Sequence, residues 1–218
     1  HLDTVVKPEK FQDFTAISLE TKRERIQSLY NLMQESDPSV INPEITYFDM
    51  IMERIFVNTE GSTLRQKIPR IGITLKPMVK VENKIDYDKL TLHGERGFEL
   101  LDSITPEKID SLVDSSKTLA TAPLAPTGVF PVILESSISG ALAHAIFGHG
   151  VQADQILRGR SMWENYYQKK VASDIVNISD SADYKHLYGS YIFDDEGILS
   201  KKTKLVENYK KSIKKNLI

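Results

Sequence analysis

Two prolines three positions apart, in Ala122-Pro123-Leu124-Ala125-Pro126, divide this chain. Proline lacks a backbone N–H and pushes the residue before it into extended conformations, so regular helices and central strands stop at such a stretch. The patterns on its two sides differ. Before it, Ile26, Leu29, Tyr30 and Met33 recur with a helical period and predict an amphipathic helix over 19–34, after a flexible lead-in of eight residues. From Ile45 to Val81 the period becomes two. Ile55 and Val57 approach the turn signal Asn58-Thr59-Glu60-Gly61, and Ile71, Ile73 and Leu75 alternate up to Pro77, which predicts antiparallel strands. Thr105 reads as an N-cap with Pro106 at the first helical position, and Ile109, Leu112, Val113, Leu119 and Ala120 give that helix its apolar stripe.

Beyond the prolines, 129–134 reads as a buried strand, 139–147 as a short small-residue helix, and 171–178 and 191–193 as further strands. The expected architecture is α+β: an N-terminal region (1–125) of helices on an antiparallel sheet, then a β-rich segment (126–218) carrying the short helix. A chain of 218 residues can bury roughly 70% of the surface its unfolded form exposes, enough for a substantial core.

Charge narrows the function classes. With 28 Lys and Arg against 30 Asp and Glu, the chain has no general footprint for nucleic acid or an anionic membrane. From Lys201 onward there are seven Lys and one Glu, which favours a solvated surface over a phosphate-binding tail. No apolar run approaches the ~20 residues that span a bilayer, and no secretory pattern opens the sequence, so the expected compartment is the cytoplasm and the sequon Asn177-Ile178-Ser179 is idle. Phosphate loops and serine-nucleophile motifs are absent.

The chemically loaded stretch is His144-Ala145-Ile146-Phe147-Gly148-His149-Gly150. Imidazole is a preferred zinc ligand, and two of them make half a zinc site. Residues five apart on a regular α-helix point about 140° from each other, so convergence requires a π-type distortion or unwinding, which Gly148 permits. Without cysteine, further protein ligands would have to be His, Asp, Glu or neutral oxygen groups. On spacing alone, ligation stays open against two packed or capping histidines.

Other residues have plainer readings. Asp194-Asp195-Glu196-Gly197 fits a strand-end turn better than a cation loop. His93 and His186 have no spaced partners and read as surface or hydrogen-bonded histidines. Trp163, Tyr166 and Tyr167, following Arg158 and Arg160, match one apolar helix face better than a base-stacking platform.

The residues 130–134, Ser139-Gly140-Ala141-Leu142-Ala143 and His144 through Asp154 together resemble the metal-binding core of the TldD/PmbA family of zinc-dependent peptidases. Arg54 to Gly61, Gly94 to Leu101, Leu119 to Pro126, Val171-Ala172-Ser173-Asp174 and Gly189 to Gly197 extend the resemblance in family order across most of 45–207. It implies that His144 and His149 hold zinc within a His-Glu-x-x-x-His pattern whose Glu acts as general base on water activated at the metal. Here that position is Ala145, whose methyl group cannot accept a proton. Gln152 stands where many members have Glu, while Asp154 is kept. The family's third ligand, a distant Cys, has no counterpart.

A natural pseudoenzyme, a shortened decaying copy and a deliberate substitution all fit Ala145; the three departures together favour a natural degenerate homologue. The resemblance further implies peptide or unfolded-protein substrates, a homodimer or heterodimer around an enclosed chamber, and a share of the cleft wall for the Asp194 block. The alternative is a non-catalytic module that docks on an intact relative or holds peptide uncleaved, in keeping with the family's label as modulators of DNA gyrase.

Overall fold

A computed structural model describes residues 1–5, 11–166, 169–207 and 210–211. The chain forms two compact units: His1–Pro126 with Tyr184–Leu199, and Thr127–Asp183 with Ser200–Ile218.

The first unit is a helix-backed sheet. Strand β1 (Leu2–Val5) occupies part of the expected lead-in and pairs parallel to a later strand. Helix α1 (Leu19–Ser36) opens where Ser18 caps it, its hydroxyl accepting the Thr21 N–H at 3.1 Å. Two long strands follow, β2 (Val40–Val57) and β3 (Thr63–Val81), joined by the Asn58–Gly61 turn, in which Gly61 has φ +88° and Asn58 Oδ1 accepts the Ser62 N–H. They pair antiparallel over nearly their whole length. β3 passes through Pro77, which lies opposite Pro43, and ends at Val81, where the period-two pattern ends. On its other edge β3 carries β1, then β5 (Leu90–Gly94), then β4 (Lys84–Asp86). Helix α2 (Pro106–Thr121) starts with Pro106 in its first turn as expected, although the Thr105 side chain does not cap it; the Thr105 carbonyl takes the Lys108 and Ile109 N–H groups instead.

The alternation in β3 explains the core. Ile71, Ile73 and Leu75 face Leu29 and Met33 of α1 and Ile109 and Leu112 of α2 in one buried cluster. The opposite face is buried too, which is unusual for a strand carrying Gln66 and Arg70. Its cover is the return segment Tyr184–Leu199. The Gln66 carboxamide donates to the Phe193 carbonyl and accepts from the Ile192 N–H, Arg54 donates to the same carbonyl, and Arg70 donates to the Ser190 carbonyl. Tyr188 stacks on His93 and receives the edge of Phe48 and the Arg70 guanidinium. Gly72 makes the space, since a Cβ there would lie 2.6 Å from Phe48 Cζ.

The second unit holds α3 (Ser136–Ala143), a π turn (His144–Gly148), a 3-10 turn (His149–Val151) and α4 (Ala153–Leu157). A small antiparallel sheet joins β6 (Ile178–Asp180), β7 (Thr203–Glu207) and β8 (Lys210–Lys211). The strand expected over 129–134 is not formed. These residues are irregular, with Val129 and Ile133 fully exposed, because among the described residues no strand pairs with them. Of the strand expected over 171–178 only Ile178 is in β6, and 191–193 contributes one bridge, Phe193 to Leu199. Most of the Lys-rich tail beyond Glu207 lies outside the described residues.

Candidate metal centre

The His144–Gly148 segment shows how an i, i+5 pair converges. The chain leaves α-helical spacing at Ala143, and the His149 N–H bonds the His144 carbonyl, five residues back. That widened turn reduces the ~140° divergence of a regular helix. The imidazole rings of His144 and His149 lie 4.4 Å apart between centroids, inclined at 68°. Gly148 leaves room beside them: a Cβ there would meet His144 Nδ1 at 3.3 Å.

Zn–N bonds are about 2.0 Å, so rings this close lie within reach of one ion. Among the described residues no group of three His, Asp or Glu side chains converges. The donor set therefore supplies two nitrogens, and a closed site needs further ligands. Ala145 sits between the histidines and is exposed. Next to the pair, Gly148, Val151, Gln152, Ala153, Asp154, Asp180 and Leu205 line an open depression of about 470 Å³. Asp154 and Gln152, both singled out by sequence, thus share one wall.

The remaining candidates take structural roles. Asp194 Oδ1 accepts the N–H groups of Glu196 and Ile198, and Gly197 has φ +77°, so the acidic block is a turn. Asp195 pairs with Arg54 at 3.2 Å. His93 stacks on Tyr188 at 5.2 Å. The His186 carbonyl accepts the Glu95 N–H, the His186 N–H donates to the Glu95 carboxylate, and His186 has φ +66°. Burial is the main cause that raises the Glu95 carboxyl above its ordinary value, opposed by its His186 hydrogen bond and the Arg70 charge.

The expected helix face of Trp163, Tyr166 and Tyr167 is not made. Glu164–Tyr166 is a single 3-10 turn, Tyr167 lies outside the described residues, and Trp163 instead stacks on Phe147 of the π turn at 5.0 Å. Sequence reasoning missed this contact because Trp163 is 16 positions from Phe147; the only local hint was Gly150, which admits the indole.

The scaffold is α+β, and one distorted helical turn of it presents two imidazoles side by side. Two family models match in succession, the PmbA/TldA metallopeptidase central domain over residues 12–120 and the PmbA/TldA metallopeptidase C-terminal domain over 127–208. The chain belongs to the PmbA/TldD family. A metalloprotease of Methanocaldococcus jannaschii is 30% identical over 195 residues, covering 89% of this chain and 42% of that protein. A metalloprotease TldD homologue of Buchnera aphidicola (Schizaphis graminum) is 27% identical over 199 residues, 86% of this chain and 41% of its own length. Among solved structures, a Thermotoga maritima protein titled a modulator of a DNA gyrase superposes with TM-score 0.79 at 18% identity, covering 95% of this chain and 47% of that one. TldE of Thermococcus kodakarensis gives TM-score 0.64 at 15% identity, covering 97% and 48%. The chain spans less than half the length of these relatives.

Proposed function

We propose that this chain is the metal-motif portion of a TldD/PmbA-type peptidase in which His144 and His149 are zinc ligands, and that it is catalytically impaired as written. The observation that carries the reading is the 4.4 Å approach of the two rings across the π turn. Zinc, when bound, supplies a Lewis acid for peptide-bond hydrolysis. The chain's own residues orient that ion from one side and leave the adjoining depression open to an extended peptide or unfolded segment. Ala145 offers no proton acceptor at the family's Glu position, so general-base assistance, commonly a factor of 10²–10⁴, is missing. A cytoplasmic protein that pairs with a second copy or a relative is part of the same reading, and among the described residues no helix is long and apolar enough to cross a membrane.

The test is zinc stoichiometry and affinity on the purified chain, with His144→Ala as control. Zinc near one per chain, lost in that variant, supports the reading. No zinc at micromolar concentrations overturns it. Ala145 also favours a second reading, a non-catalytic module that holds peptide or docks on an intact relative; peptide retained without cleavage at full zinc occupancy puts that reading first.

A further inference from the structure

The π turn is held from outside by one short strap. Irregular helical turns need partners for carbonyls that leave the regular ladder. The Trp163 indole N–H donates to the Ile146 carbonyl at 2.8 Å, in the middle of the His144–Gly148 turn. The indole plane stacks on Phe147 at 5.0 Å and 18°, and Tyr166 meets it near-perpendicular at 5.7 Å. Gly150 is the reason the indole reaches that carbonyl: a Cβ there would lie 2.7 Å from Nε1. Ser161 ties the strap down a second time, its hydroxyl donating to the Gly150 carbonyl and accepting the Trp163 N–H at 3.0 Å. Contacts thus fall on Ile146, Phe147 and Gly150, between and just beyond the two histidines.

We propose that Trp163 is a positioning residue for the histidine pair: it clamps the π turn and so keeps the His144 and His149 rings converged before any metal arrives. This goes beyond the zinc reading by naming what sets the geometry, and it rests on that reading only for its relevance to metal affinity. A relaxed turn with ordinary α-helical spacing would send the rings apart, and each ion captured would then have to supply the cost of re-forming the distortion. The clamp removes that cost in advance, as partners beyond the ligand shell do at metal sites, where their loss commonly weakens affinity 10–100-fold.

The test reads ring convergence without metal. In the metal-free full chain, a nuclear Overhauser contact between the His144 and His149 imidazoles is expected. Trp163→Ala and Gly150→Ala should both abolish it, the second while keeping the indole, and Trp163→Phe should restore it in part because the stack on Phe147 survives. Retention of the contact in both alanine variants overturns the proposal. If Trp163→Ala fails to fold, Gly150→Ala decides.

Zinc titration is the second measurement, followed by the emission of Trp163, which is the single Trp of the chain. About a tenfold weaker affinity is expected in Gly150→Ala. A parent chain that takes no zinc defeats the proposed function, while the ring contact still decides the clamp.

Discussion

Gln66 and Phe193 lie 127 positions apart in the sequence and are joined edge to edge: the buried Gln66 Nε2 donates to the Phe193 carbonyl at 2.9 Å. Gln66 Oε1 takes the Ile192 N–H at 2.8 Å. One carboxamide therefore satisfies both a donor and an acceptor of the return segment and fixes its register on β3. Replacing it by the near-isosteric Leu leaves the Ile192 N–H without this partner, while Arg54 still serves the carbonyl. Gln66→Leu should cost about 1–3 kcal/mol in urea unfolding. An unchanged midpoint would show that water replaces the amide without penalty.

Gly94→Ala should loosen the same segment from the other side. A Cβ at 94 would sit 2.6 Å from the His186 carbonyl oxygen, a backbone atom that cannot rotate away. Hydrogen exchange in 184–199 should accelerate while α1 keeps its protection; uniform protection in both would count against this contact as a fastener.

Asp37 closes α1, and its carboxylate accepts from Lys117 at 2.7 Å and from the Ser39 N–H at 2.8 Å. The Lys117 hydrogen bond, then those of Ser39, pull its carboxyl down to about 2. A depressed acid contributes stability that is present above its unfolded value and is lost as pH falls through the folded one. Asp37→Asn should therefore lower the melting temperature by about 2 °C at pH 7, the small effect expected of a solvent-screened pair. The gap to the parent should close between pH 4 and 2. A gap that persists at pH 2 would assign the effect to something other than the charge.

Glu95 has the opposite sign. Burial raises its carboxyl, so its contribution to stability is full below the ordinary glutamate range and is lost as pH rises through the raised value. Glu95→Gln should flatten that limb of the stability profile and gain on the parent as pH rises. Equal slopes in the two proteins would show that the Arg70 charge offsets burial completely.

Ala145→Glu on this chain should not by itself create a peptidase, because two histidines leave the zinc shell open. The measurement is hydrolysis of unfolded peptide at saturating zinc, with His149→Ala in parallel. Turnover that disappears in the His149 variant would reveal a third ligand within these residues and replace the half-site.

How far the sequence reached follows the range of each signal. The helical period of Ile26, Leu29, Tyr30 and Met33 and the position of Pro106 marked the two long helices, and the alternation of Ile71, Ile73 and Leu75 marked one buried face of β3. The condition for His144 and His149 to converge, a π-type distortion or unwinding, was legible because it lies in one turn of chain, and the structure takes the π form. The even face of β3 was not legible: Gln66 and Arg70 look solvent-facing until a segment more than a hundred residues later covers them. Residues 129–134 failed in the converse way, having the composition of a buried strand but, among the described residues, no neighbour to bury it.

The sequence by itself determined the two long helices and the long antiparallel strand pair of the first unit, and brought His144 and His149 within one turn of chain, because propensity, capping and period act over a few residues. The tertiary structure alone decided which polar groups are buried, where the return segment binds, and that Trp163 clasps the histidine turn. Those outcomes depend on desolvation and hydrogen bonds between residues far apart in the chain, whose energies exist only once both partners are in place.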